Sequence, residues 1–174
     1  LERKIAVVAL ATTRGFGDSI EIGRTRRMLP SQYDPSFVRP APLVPRQLRF
    51  EVHERMNADG TVATPLDATN LPAIAAAARA GGAAAIAVCF LHAYANPDHE
   101  QAVARELQRL CPDMRVATSA EVIPEFREYE RFSTTIINAS LMPVMGHYIT
   151  ALDRALVDGG CRGELTTMSS SGGT

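Results

Sequence analysis

The sequence has no surplus charge of either sign. Its 18 Lys and Arg stand against 19 Asp and Glu, a formal net charge of −1. No global field therefore steers it to nucleic acid or to a membrane surface. No apolar run is long enough to span a bilayer, and no stretch reads as a secretory leader. Cysteine is scarce and odd in number: Cys89, Cys111 and Cys161 stand far apart, without metal-ligand spacing. That argues against a disulfide framework and for a reducing, cytoplasmic compartment. Also missing are a Walker loop with Gly-Lys-Ser/Thr, a GxGxxG turn, HExxH and GxSxG. No internal repeat is visible, and no metal site is expected in this chain.

What is present is ordinary globular material. Of 174 residues, 46% are hydrophobic and 21% charged, enough for one domain or slightly more with a real core. The first residue is Leu1, and the sequence stops in Ser169-Ser-Ser-Gly-Gly-Thr174. Both ends read as those of an excised segment.

Residues 5–10, Ile-Ala-Val-Val-Ala-Leu, form a continuous apolar run bounded by Thr12-Thr-Arg-Gly15. Such a run suits a strand buried on both faces, as in a parallel sheet. A short helix is expected over 16–22, closed by Gly23. The stretch 24–46 holds Pro30, Pro35, Pro40, Pro42 and Pro45 among five arginines, which excludes regular structure. Residues 48–54 alternate apolar and polar, the period of a half-buried strand. Ala58-Asp-Gly60 is a turn, and 62–65 is the return strand of a hairpin. Asp67 is a candidate N-cap for a helix over 68–80 that Gly81-Gly82 ends.

A second buried strand follows at 84–91, in which Cys89 packs as a small apolar residue. Asn96 and Pro97 are then placed as N-cap and first residue of a helix whose Ala102, Val103, Leu107 and Leu110 share a face. Residues 114–118 read as a third strand, and 121–128 as a connection. A long helix spans 129–157, kinked or restarted near Pro143. A last short strand is expected at 164–168. The alternation predicts βα crossover units: an open, largely parallel α/β sheet with flanking helices, a proline-rich loop and a β-hairpin insertion. The organisation expected is an N-terminal α/β region at 1–127 and the start of a main domain at 128–174.

Ligands in open parallel sheets bind beyond the carboxyl ends of the strands. His92 and Asn96 follow a strand and are candidates to face a cleft there. Asn96 also has an evident capping task, whereas His92 has none. The other histidines, His53, His99 and His147, are scattered and suit structural or surface roles. Arg24 directly follows a glycine and could hold an anion; Arg26 and Arg27 suit solvated charge as well. Glu128, Glu130 and Arg131 open the long helix, where acids complement the helix dipole. Ser133, Thr134, Thr135 and Asn138 follow within two turns. Polar residues in that number suggest a face that touches a ligand or another part of a larger protein. Ser170, Ser171, Gly172 and Gly173 are small enough for a backbone to approach a phosphate, or simply form a flexible loop.

These stretches, in their order, resemble the N-terminal region of the hydantoinase A/5-oxoprolinase family, which includes related subunits of acetone carboxylase. The resemblance rests on Thr12-Thr-Arg-Gly-Phe16, Ile22-Gly-Arg24, Pro42-Leu-Val-Pro-Arg46, Val88-Cys-Phe-Leu-His-Ala-Tyr-Ala-Asn-Pro97, Glu128-Tyr-Glu-Arg131, Ser133-Thr-Thr135, Asn138-Ala139 and Met168-Ser-Ser-Ser-Gly-Gly173. Each is weak alone; in this order and spacing, over nearly the whole chain, they are specific.

The resemblance implies part of an actin-like (sugar kinase/Hsp70) ATPase-type fold. It implies ATP hydrolysis coupled to opening a cyclic amide (hydantoin, N-methylhydantoin or 5-oxoproline) through phosphorylation of the ring carbonyl. ATP and a divalent metal, Mg or Mn, are implied for the full-length protein and none for this segment. The implied partners are the remainder of its own chain and a hydantoinase B-type subunit. The family's glycine-rich phosphate loop would be expected upstream of Leu1, outside this sequence, and Ser171 stands where the family often has Asn. The segment alone is therefore expected neither to bind ATP tightly nor to turn over. Two alternatives are a subunit of an ATP-dependent ketone carboxylase and a non-catalytic interaction domain, the latter supported by the proline-rich stretch.

Overall fold

The computed structural model describes residues 6–23, 36, 38 and 41–168. Five strands form one sheet: β1 (Val8–Thr13), β2 (Arg49–Met56), β3 (Val62–Asp67), β4 (Ala85–Cys89) and β5 (Arg115–Thr118), in the order β3-β2-β1-β4-β5. β1 lies parallel between β2 and β4, with Leu10 opposite both Arg49 and Ala87. β4 and β5 are also parallel, and only the β2–β3 hairpin is antiparallel. The expected open, largely parallel α/β sheet is thus what forms. The continuous apolar runs follow from it, because all six residues of β1 and all five of β4 are buried.

The first strand lies three residues later than its apolar run predicts. Ile5 is outside the described residues, and Thr12 and Thr13, expected as a boundary, belong to β1 and are buried. Threonine is β-branched and sits readily in a pleat, so hydrophobicity alone misplaces the end. β2 runs on to Met56, burying Val52, Glu54 and Met56 on one phase. The hairpin turns at Asn57–Thr61, where Gly60 takes φ 83° and Asn57 N donates to Thr61 O at 2.9 Å. Pro65 is tolerated because β3 is an edge strand.

Five helices accompany the sheet: α1 (Ser19–Ile22), α2 (Leu71–Ala80), α3 (Asp98–Leu110), α4 (Ser119–Val122) and α5 (Glu128–Asp158). α2 buries Leu71, Ile74, Ala75 and Ala78, a clean i, i+3, i+4, i+7 stripe. Asp67 is not its N-cap: it closes β3 and accepts from Thr69 N at 2.9 Å, and the helix begins at Leu71. α3 starts at Asp98, one residue after the position expected from Pro97. The expected connection at 121–128 includes the last two residues of α4, whose Thr118 cap accepts from Glu121 N at 3.3 Å.

α5 turns Phe132, Ile136 and Ala139 into the core beside Val8, Ile86, Val88, Val103 and Leu107. Side chains of the size of Phe132 and Ile136 contribute roughly 1.5–3 kcal/mol each when fully buried. Pro143 lies inside the helix, which is not interrupted there. Residues 164–168 form no strand and are mostly exposed.

The chain divides into two compact units, Leu1–Pro143 and Val144–Thr174. The first holds the sheet, α1 to α4, the start of α5 and the core. The second holds the rest of α5 and an irregular tail. All three cysteines are free, with Cys89 and Cys111 buried. No helix among the described residues is long and apolar enough to cross a membrane.

Candidate functional site

The parallel strands β1, β4 and β5 end along one edge, and buried polar side chains tie those ends together. At the end of β1, Thr13 Oγ1 accepts from Leu91 N at 3.0 Å and donates to Glu54 Oε1. The other oxygen of Glu54 lies 2.9 Å from His99 Nδ1. Thr13 therefore joins β1 to the segment after β4, and Glu54 joins β2 to the first turn of α3.

Glu100 sits one residue further along α3 and is 1% exposed. Its Oε1 accepts from Phe90 N and from Ser119 Oγ, both at 2.6 Å, and its Oε2 from Ala120 N at 2.9 Å. One carboxyl thus fastens the ends of β4 and β5 together. Burial pushes its pKa up to about 7, against the pull of Ser119, the two backbone donors and the Arg131 charge. A carboxylate with three donors is well solvated by the protein, yet here desolvation outweighs them. The neighbouring Cys89 thiol is pushed up by burial and then by Glu100, so it stays protonated and is a packing residue rather than a nucleophile.

Arg131 completes this buried network. It is 2% exposed, and it donates from Nη2 to Phe90 O at 2.5 Å and from Nη1 to Glu125 O at 3.0 Å. Its guanidinium also lies 5.4 Å from the Tyr94 ring. Burial pulls its pKa down, opposed first by Glu100. Thr135 is buried one turn on, donating to Arg131 O at 2.7 Å.

The remaining candidates fall in different places. His92 does have a structural task, contrary to the expectation from sequence. It takes φ 56° at the corner after β4, its carbonyl accepts from Ala95 N at 2.9 Å, and its Nδ1 lies 3.3 Å from Tyr94 Oη. Asn96 accepts from Asp98 N at 3.0 Å and donates to Gly60 O at 3.0 Å, so it ties the hairpin turn to the start of α3. Thr134 and Asn138 are exposed on the arc of α5 away from the core, whereas Arg131 and Thr135 point inward. The polar face expected along 128–138 is therefore divided: one part is spent inside, and the other faces out.

Glu128 and Glu130 line a pocket of ≈ 270 Å³ with Gly23, Arg127 and Tyr129. Gly23, at φ 56°, lies against the Tyr129 ring, where an added Cβ would come within 3.4 Å of Cε2. Arg127 takes φ 76°, a left-handed conformation costly for a side-chain-bearing residue. Arg24 lies outside the described residues, as do Ser170, Ser171, Gly172, Gly173 and the prolines Pro30, Pro35 and Pro40. The described neighbour of Arg24 is Gly23, at the pocket wall.

Glu54, Glu100, Thr13 and Ser119 were not singled out by sequence reasoning. Two of them carried a signal. Glu54 occupies the apolar phase of β2, and Glu100 stands three residues before Val103 and seven before Leu107, on the buried stripe of α3. An acid on a buried phase implies a partner. Among the described residues no group of three or more His, Cys, Asp or Glu could hold a metal ion.

Comparison with known proteins follows the same lines. Residues 1–111 match the model of the hydantoinase/oxoprolinase N-terminal region. The caprolactamase subunit alpha of Pseudomonas jessenii is 35% identical over 173 residues, 99% of this chain and 25% of that protein. The crystal structure of the ATP-dependent caprolactamase from Pseudomonas jessenii superposes with a TM-score of 0.82 at 34% identity, over 96% of this chain and 24% of that one. A nucleotide-free acetone carboxylase structure gives a TM-score of 0.74 at 27% identity, over 82% of this chain and 22% of that one. The chain spans 25% of that caprolactamase subunit and 24% of a Methanocaldococcus jannaschii relative that is 43% identical over 166 residues.

Proposed function

Because the chain belongs to the hydantoinase/oxoprolinase family, we propose that it is the N-terminal α/β part of an ATP-dependent hydrolase that opens a cyclic amide. The substrate class is a hydantoin, an N-methylhydantoin, 5-oxoproline or a related lactam. The observation that carries this reading is the likeness to ATP-dependent caprolactamase, which runs through 96% of the chain.

A ring amide carbonyl is a poor electrophile, and ATP would supply the phosphoryl group that activates it. The described residues hold no metal-ligand cluster, so no step is assigned to a metal here. Nucleotide and divalent ion are proposed to be held chiefly by the rest of the full-length protein, with Ser170 to Gly173 as this chain's contribution and with an actin-like ATPase arrangement around them. The buried Glu100–Arg131 network would act as scaffold for the β4 and β5 ends, and Arg24, His92, Asn96, Glu128 and Glu130 are proposed to face the cleft of the full-length protein. The division at 127/128, a hydantoinase B-type partner subunit and a cytoplasmic setting belong to the same proposal.

The test is phosphate release by the full-length protein with caprolactam, hydantoin, N-methylhydantoin or 5-oxoproline. Stimulation by one of them with ring opening seen by mass spectrometry is expected. The likeness to acetone carboxylase supplies the competing outcome. Stimulation only by a ketone with bicarbonate would make the protein a carboxylase subunit, and stimulation by neither would leave the interaction-domain alternative.

A further inference from the structure

The outward side of α5 is built unlike a water-facing helix. Residues 132–152 contain no Asp, Glu, Lys or Arg. In the first unit, Ile137 and Leu141 are 49% and 47% exposed, on the arc opposite Phe132 and Ile136. In the second unit, taken by itself, Val144, Met145 and Tyr148 are each about half exposed, and no described residue is buried. A helical segment of that length without a packed face is marginal in water. A solvent face of a soluble helix normally carries charge, and apolar residues gathered at helical spacing mark a covered surface.

No helix among the described residues is long and apolar enough to cross a bilayer. The absence of charge also speaks against a rim held by ion pairs, and for a dry contact of the kind found inside a folded chain. The relatives supply the occupant: the chain corresponds to 24% and 25% of the two whose lengths it was matched to above, leaving some three-quarters of such a protein elsewhere. We infer that Ile137 and Leu141 in the first unit, and separately Val144, Met145 and Tyr148 in the second, are each covered by the rest of the same full-length polypeptide. Thr134 and Asn138, exposed on the same arc as Ile137 and Leu141, can complete their hydrogen bonds within that contact. The inference takes only the length of the intact protein from its family and is independent of which ring, if any, it opens.

The experiment uses the full-length protein, with Ile137→Cys and Tyr148→Cys made singly and Val62→Cys as the exposed control. Alkylation by a maleimide is followed peptide by peptide by mass spectrometry. Both sites are expected to react at least about tenfold more slowly than the control, at every protein concentration, and to equal it in denaturant. Rates matching the control in the folded protein would overturn the inference. So would protection that vanishes on dilution to the monomer or on removing a partner subunit, because the cover would then be a second copy or another chain. Amide hydrogen exchange over 134–148 in the unsubstituted full-length protein keeps the test open if a cysteine variant fails to fold: slow exchange in the monomer is expected, and fast exchange refutes. Phosphate release plays no part in these readouts, so failure here and failure of the proposed activity are separable.

Discussion

Replacing Glu100 by Gln tests whether this carboxyl is the strained member of the strand-end network. Its pKa rises from the ordinary 4.5 to about 7 because burial penalises the ionised form. Between those two values the folded chain holds a proton that the unfolded chain has released, so stability falls as pH rises and levels off above about 7. At about 1.4 kcal/mol per pH unit, the interval corresponds to a loss of about 3 kcal/mol. Gln has no such titration. It keeps one oxygen for Phe90 N and Ser119 Oγ but turns an amide toward Ala120 N. That donor–donor contact costs about 1–3 kcal/mol at all pH values. Urea unfolding of the 174-residue chain, followed by circular dichroism from pH 5 to pH 8, should show a downward slope in the parent that is absent from Glu100→Gln. The variant should be the less stable at pH 5 and close to the parent at pH 8. An equal slope in both proteins would refute the reasoning, since the proton would then belong to another group.

Three further outcomes are expected from the same measurement. Arg131→Lys keeps the charge but cannot span both Phe90 O and Glu125 O, and should lose about 2–4 kcal/mol; a loss under 0.5 kcal/mol would mean that the fork geometry is unimportant. Gly81→Ala sets a methyl against Leu48 Cδ2 in the core and should destabilise by about 1–3 kcal/mol, read as a lower urea midpoint at unchanged slope. Arg127→Gly removes a side chain from φ 76° and should stabilise by about 1 kcal/mol, provided Arg127 does nothing but line the pocket. A matching fall in lactam-stimulated phosphate release by the full-length protein would show that its side chain also serves the substrate.

The parallel sheet was legible because its evidence is local. Apolar runs such as Ala85–Cys89 are unbroken only when both faces are covered, and the i, i+3, i+4 stripes of α2 and α3 recur within a few residues. The ends of elements were less legible. Thr12 and Thr13 look like a boundary on a hydropathy count, yet their place between β2 and β4 makes them strand. Residues 164–168 have strand-like composition, yet they are irregular and mostly exposed.

The sequence by itself determined the alternation of strands and helices, the stretch closed to regular structure by proline, and the ordered motifs that mark the family. Tertiary structure alone decided what the polar residues do. A rotation of 100° per residue separates Thr134 from Thr135, and only the position of the core says which of the two is inside. Glu54, Glu100 and Arg131 are tolerable in the interior because Thr13, His99, Ser119 and the Phe90 backbone reach them from elements up to 45 residues away in sequence. Burying a charge is costly without partners and acceptable with them, and partners at such separations exist only once the chain has folded.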